Sequence, residues 1–154
     1  MGTSPATPLF DALSWVAELQ WNRWQKVTQG ADVFKGRDGY RLVDRVSKDF
    51  TGLALNVTPT WFQVMPGVDL SAPIAYARGL SGTSAVNPGG NKGAGNYSVG
   101  LSFDIYQKYR VDFKYVDFFG PYALDANGAV AAQAGVTALL KDRGFVALTL
   151  KTTF

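Results

Sequence analysis

Asp104, Arg110, Asp112, Lys114 and Lys151 come nearest to a chemically useful arrangement in this chain. Asp104 and Asp112 supply two carboxylates, the minimum for general acid and base work. The same two acids beside three cations also read as a charged ladder, and that reading is preferred. The 154 residues contain no His and no Cys. That removes the usual general base, thiol nucleophiles and the commonest metal ligands. The expectation is a protein that is not an enzyme, with no cofactor and no metal. The stretch NPGGNKGAG at 87–95 lacks the Gly-Lys-Ser/Thr ending of a phosphate loop and reads as a flexible loop. Asp32, Asp38 and Asp125 lack the spacing of a calcium-binding loop. Lys+Arg 15 against Asp+Glu 12 gives +3, too mild to imply a nucleic-acid partner.

The elements that must carry these residues have a period of two. Leu13, Trp15, Ala17, Leu19 and Trp21 alternate with Ser14, Val16, Glu18, Gln20 and Asn22. A helix does not keep apolar residues at i, i+2 over this length. The alternation recurs in 53–61, 68–77, 97–105, 109–115 and 146–151. This predicts an all-β, antiparallel meander of about six strands of ~10 residues, the length that crosses a bilayer when tilted. Charged residues at 18% and 17 glycines fit β-structure with many turns. Pro59 and Pro73 each remove a ladder donor and weaken their strands locally. Asn56-Val57-Thr58 and Asn96-Tyr97-Ser98 match a glycosylation pattern but lie inside strands, and are set aside.

Connections alternate between tight and long. Met65-Pro66-Gly67-Val68 suits a type II turn, and Tyr106-Gln107-Lys108 is the second tight turn. The links 27–49, 79–95 and 119–142 are far longer than a usual hairpin loop of ~2–5 residues. A hairpin centred on Gln107 pairs Ile105 with Tyr109, Phe103 with Val111, Asp104 with Arg110 and Ser102 with Asp112. A hairpin centred on Pro66-Gly67 pairs Trp61 with Ala72, Thr60 with Pro73, Pro59 with Ile74 and Thr58 with Ala75. Both registers keep apolar against apolar.

Alternation alone does not say which face is inside. A soluble barrel turns its apolar face inward and a membrane barrel turns it toward lipid. Aromatic placement favours the second arrangement. Trp15, Trp61, Tyr109 and Phe154 are expected at the short-turn edge, and Trp21, Tyr76, Tyr97 and Tyr115 toward the long-loop edge, as two interfacial belts. The lumen would then be lined by Glu18, Gln20, Asn22, Asn56, Thr58, Asp69, Asp104, Arg110, Asp112, Lys114 and Lys151. Arg110, Lys114 and Lys151 would favour an anionic head group, unless the charges merely pair along the ladder. The ending LTLKTTF, with Leu148, Leu150 and Phe154, resembles the C-terminal insertion signal of bacterial outer-membrane proteins, with Thr152 as a departure. The 129–140 stretch is too short for a transmembrane helix, and the N-terminus lacks the basic start of a secretory signal.

Three segments carry a family likeness: LNVTPTWFQVMPGVDLSAPIAYARGLSG, GAGNYSVGLSFDIYQKYRVDFKYVDFFG and LLKDRGFVALTLKTTF. They closely resemble the C-terminal part of the domain-of-unknown-function family 1302, from about Leu9 to Phe154. The resemblance implies an outer-membrane β-barrel of Gram-negative bacteria and a chain, 1–154, that is the C-terminal segment of a larger barrel. N-terminal strands and a signal peptide would then be missing. Six strands also fall short of the ~8 of the smallest membrane barrels and leave two open edges. Missing strands from the N-terminal side are favoured over a barrel assembled from several copies. As function, the resemblance implies a channel or transporter for hydrophobic or amphipathic compounds. Implied partners are outer-membrane lipid, the barrel-assembly machinery, an inner-membrane efflux-type transporter and a periplasmic lipoprotein-carrier-like protein. The alternatives are a non-transporting structural or docking barrel and, more weakly, a soluble ligand-binding β-barrel.

Overall fold

A computed structural model describes residues 1–42, 45–86, 90–121, 124, 126–129 and 139–152. All named elements are strands: β1 (Gly2–Ser4), β2 (Ala12–Arg23), β3 (Asp49–Met65), β4 (Val68–Ser71), β5 (Ile74–Ser81), β6 (Gly95–Ile105), β7 (Tyr109–Phe119) and β8 (Phe145–Thr152). They form one antiparallel sheet in the order β1-β2-β3-β4-β6-β7-β8, with β5 also between β3 and β6. β4 and β5 are one strand position interrupted at Ala72-Pro73. The ladder is bridged there by the Ala72 N–H to the Pro59 carbonyl (3.0 Å) and the Gly100 N–H to the Pro73 carbonyl (2.9 Å). The disruption expected at Pro73 is real, and its own carbonyl helps to repair it. Among the described residues no pairing joins β8 to β1 or β2, so the sheet is open. Phe154 and Asp125 lie outside the described residues, as does nearly all of 129–140.

The β6–β7 hairpin has the expected register, with Ile105 opposite Tyr109, Asp104 opposite Arg110 and Ser102 opposite Asp112. Tyr106 and Gln107 take φ of 51° and 55°, the left-handed backbone that a tight hairpin needs. The β3–β4 turn also forms where expected, with Gly67 at φ 74° after Pro66. Its register does not hold. Met65 faces Val68, but Trp61 faces Leu70 and Thr60 faces Ser71 rather than Ala72 and Pro73. Further along, Val57 faces Ile74 and Asn56 faces Ala75. The cause is a bulge between Trp61 and Met65, where Gln63 adopts φ 50°. Its freed N–H donates to Asp69 Oδ1 (2.8 Å), and the Phe62 N–H donates to Asp11 Oδ2 (2.7 Å). The slip is two residues, so the faces are unchanged.

The long connections carry more order than a loop reading implies. Described residues of the Gly-rich segment are anchored, not free: Gly90, Asn91, Ala94 and Gly95 are buried. The Gly79 N–H donates to the Ala94 carbonyl (2.8 Å), and the Gly93 N–H to the Gly79 carbonyl (2.7 Å).

Every strand separates its residues onto the same two faces. Leu55, Leu101, Phe113 and Leu148 lie on the apolar face and are 37%, 42%, 47% and 65% exposed. This face is not the core. The described buried apolar residues are Val46, Phe50, Val68 and Ala94, and Phe50 alone is a large, fully buried side chain. On the opposite face Ser98 and Ser102 are buried, and side chains of β3, β4, β6 and β7 share one depression. The sheet therefore curls around its polar face. Burial is inverted relative to a water-soluble sheet, which hides its apolar side.

Candidate functional site: the inner wall

Cross-strand pairing puts the expected lining residues on one face. Glu18, Gln20 and Asn22 of β2 face Ala54, Gly52 and Phe50 of β3, beside Asn56 and Thr58. Asp69 of β4 faces Asp104 of β6, Asp104 faces Arg110 of β7, and Arg110 faces Lys151 of β8. This transverse row reads acid, acid, base, base. The next row holds Thr60, Ser71, Ser102, Asp112 and Thr149, and Lys114 follows on the same face.

Asp112 gathers the basic half of the row. The Arg110 Nε donates to its Oδ1 (2.8 Å), the Ser102 hydroxyl to the same oxygen (2.5 Å), and the Lys151 Nζ to Oδ2 (3.0 Å). Arg110 Nη2 also reaches the Ser102 Oγ at 3.3 Å. The partner of Arg110 is therefore Asp112, two residues along its own strand, and not its register partner Asp104. Ser102 decides this, because its hydroxyl is a second contact for the guanidinium and a second donor to the carboxylate. Asp112 is thus held by three donors, which suits a structural anchor better than one half of a catalytic pair. Two of the three cations expected to attract an anion are drawn onto one carboxylate. Among the described residues Asp69 and Asp104 make no ion pair within 4 Å. Thr58, Thr60, Asp69, Ser71, Ser102, Asp104 and Arg110 surround a depression of about 300 Å³.

A shelf covers the long-loop end of the same wall. Gly52 and Gly79 face each other and present no side chain. The Phe50 ring lies over both, about 3.1 and 3.2 Å from where a Cβ would stand, and the Asn91 carbonyl presses on Gly79. Ser47 ties the connections together. Its N–H donates to the Thr83 carbonyl (3.0 Å), its Oγ accepts from the Thr83 N–H (2.6 Å) and its hydroxyl donates to the Asp49 carbonyl (2.6 Å). The Ser84 hydroxyl donates to Asn22 Oδ1 (3.1 Å). Trp24 donates from Nε1 to the Ser47 carbonyl (3.0 Å), meets Phe34 edge-on and carries Lys48 over its ring. Phe50, Ser47 and Gly79 were not singled out by sequence reasoning, and Ser102 was named only as the register partner of Asp112. Phe50 falls on the polar side of its strand, which is the one available signal.

Trp15, Trp21, Trp61, Tyr76, Tyr97, Tyr109 and Tyr115 occupy the outer, apolar face. Leu148 and Leu150 of β8 are beside them. Tyr76 stacks on Phe119 (5.7 Å), which also stacks on Tyr97 (6.5 Å), and Tyr97 meets Tyr115 edge-on (6.2 Å). The ladder row from Trp15 runs through Val57, Ile74 and Val99 to Tyr115. These two aromatics were expected at opposite edges. A ladder row therefore does not separate the two groups; they would be level only with strands tilted and sheared, as in a barrel.

Fold and wall together define an all-β protein built on one antiparallel sheet, with one apolar face and one polar, charged face. The chain matches the family described as protein of unknown function (DUF1302) over residues 1–154, and it belongs to that family. No curated protein and no solved structure matches it.

Proposed function

We propose that this chain is a segment of an outer-membrane β-barrel that passes hydrophobic or amphipathic compounds across a Gram-negative envelope. The carrying observation is the outward apolar face, at least a third exposed at Leu55, Leu101, Phe113 and Leu148 on β3, β6, β7 and β8. Leaving that much apolar surface in water is unfavourable by about 25 cal/mol per Å². Acyl chains remove the penalty. Eleven residues in each of β6 and β7, tilted by about 40°, span roughly 28 Å, close to the ~25 Å apolar band of such barrels. The charged inner wall supports a wet interior. The open edges, β1 with the length of β2 it leaves unpaired on one side and β8 on the other, call for further strands, because unpaired strand edges are not tolerated in lipid. The aromatic belts and the apolar β8 support the same placement.

A second reading is a non-transporting barrel, used as a scaffold or docking platform. The shelf of 45–49, 82–86 and 90–94 across the inner wall favours it. Planar-bilayer recording and vesicle uptake of the reconstituted protein separate the two. The transport reading expects discrete conductance and uptake of a lipophilic dye. A silent bilayer with no uptake would leave the scaffold.

A further inference from the structure

The row Asp69, Asp104, Arg110, Lys151 is not a neutral ladder. Opposite charges along a sheet usually alternate between neighbouring strands, because like charges directly opposite are destabilising. Here the two acids face each other across β4 and β6, and the two bases face each other across β7 and β8. The bases share Asp112, which relieves their repulsion. Nothing comparable relieves the acids: the Gln63 N–H donates to Asp69, and no described cation lies within 4 Å of either carboxylate. The depression lies over the acids, with Asp69 and Asp104 at its middle, Thr58 and Thr60 of β3 on one side and Arg110 of β7 on the other. Thr58, Thr60, Ser71 and Ser102 supply hydroxyls around it.

We infer that this depression binds a zwitterion, with its cationic amine between Asp69 and Asp104 and its acid against Arg110. This rests on the reading of the curled face as a water-filled lumen and names the headgroup of the compound handled there. Neighbouring strands are ~4.8 Å apart, so the full row spans roughly 14 Å and Arg110 is about one and a half spacings, roughly 7 Å, from the midpoint of the two acids. An amine and an acid several bonds apart bridge that gap. A solute with one charge satisfies one half of the row and meets an unmatched charge on the other. The shared chemistry fits a free zwitterion and a zwitterionic lipid headgroup alike.

The test is titration calorimetry on the full-length barrel that contains this segment, in nanodiscs. The probes are 6-aminohexanoate, whose charges lie roughly 7 Å apart when extended, hexylammonium and hexanoate. The zwitterion is expected to bind about fivefold tighter than either single-charge analogue, the upper range for one exposed ion pair. Asp104→Asn removes the advantage over hexanoate and Arg110→Met removes that over hexylammonium, while Asp104→Glu keeps both. Far-UV circular dichroism verifies that each variant keeps its β-structure. Dihexanoylphosphatidylcholine below its micelle concentration, compared with glycerophosphocholine, separates the two sources: tighter binding of the lipid assigns the site to a headgroup, and equal binding to a free zwitterion. Equal affinity for all three six-carbon probes overturns the inference, as does an unchanged advantage in both Asp104→Asn and Arg110→Met. Binding needs no open pore, so a silent bilayer with binding intact refutes transport and leaves this site standing.

Discussion

Replacing Leu101 with Arg tests the orientation of the sheet at its most sensitive point. Leu101 is on the outer face of β6, one residue past the strand's centre at Gly100. Its cross-strand neighbour is Phe113, which faces Leu148 in turn. If acyl chains surround this face, the new guanidinium sits near the bilayer midplane. An arginine there costs about 2–4 kcal/mol, falling to ~0–1 near the interface. At 1.4 kcal/mol per decade, that lowers the folding equilibrium roughly 30- to 1,000-fold. If water surrounds the face, the substitution is an ordinary surface change worth about 0.5 kcal/mol or less. The control is Asn56→Arg, an exposed position on the inner face of β3. It should stay within about 0.5 kcal/mol under either arrangement. Equilibrium urea titration in lipid vesicles, followed by tryptophan fluorescence, measures both. Equal midpoints for the two variants would refute the outward orientation.

Two other substitutions probe the wall itself. Asp112→Ala strands Arg110, Lys151 and the Ser102 hydroxyl; with both cations about half exposed, the expected loss is ~1–2 kcal/mol, and Asp112→Asn should lose less because it can still accept from Ser102. The same urea titration reads it. Gly79→Val drives a side chain into the Asn91 carbonyl and the Phe50 ring, for an expected ~1–3 kcal/mol of overpacking, seen as faster amide exchange across 82–86 and 90–94 while the β6–β7 hairpin keeps its protection.

Local pairing was legible where the alternation ran unbroken. The β6–β7 register follows from sequence because nothing interrupts the pattern between Tyr97 and Tyr115, and the turn between them has a fixed length. The β3–β4 turn was legible from Pro66-Gly67, but the slip beyond it was not. Gln63 takes a left-handed φ that its residue type does not announce, and two aspartates distant in sequence or across the turn accept the N–H groups that the bulge frees. β1 escaped notice because three residues cannot display a period. The face of every lining residue was readable, since a period of two assigns it. Their ion pairing was not: the register offers Asp104 to Arg110, yet Arg110 pairs with Asp112, beside the Ser102 hydroxyl that both contact. The shelf was unreadable for a third reason. Ser47 and Trp24 work through backbone carbonyls and amides, which leave no residue-type signature in the partner.

The bulge at Gln63 bears on how such a sheet tolerates changes in length. Residues gained or lost in pairs next to that turn slide one strand along its neighbour without exchanging the apolar and polar faces. A single added residue would swing every side chain beyond it through half a turn, sending Trp61 inward and Thr60 outward. Length variation among relatives at this hairpin should therefore come in even numbers, or else bring its own compensating kink.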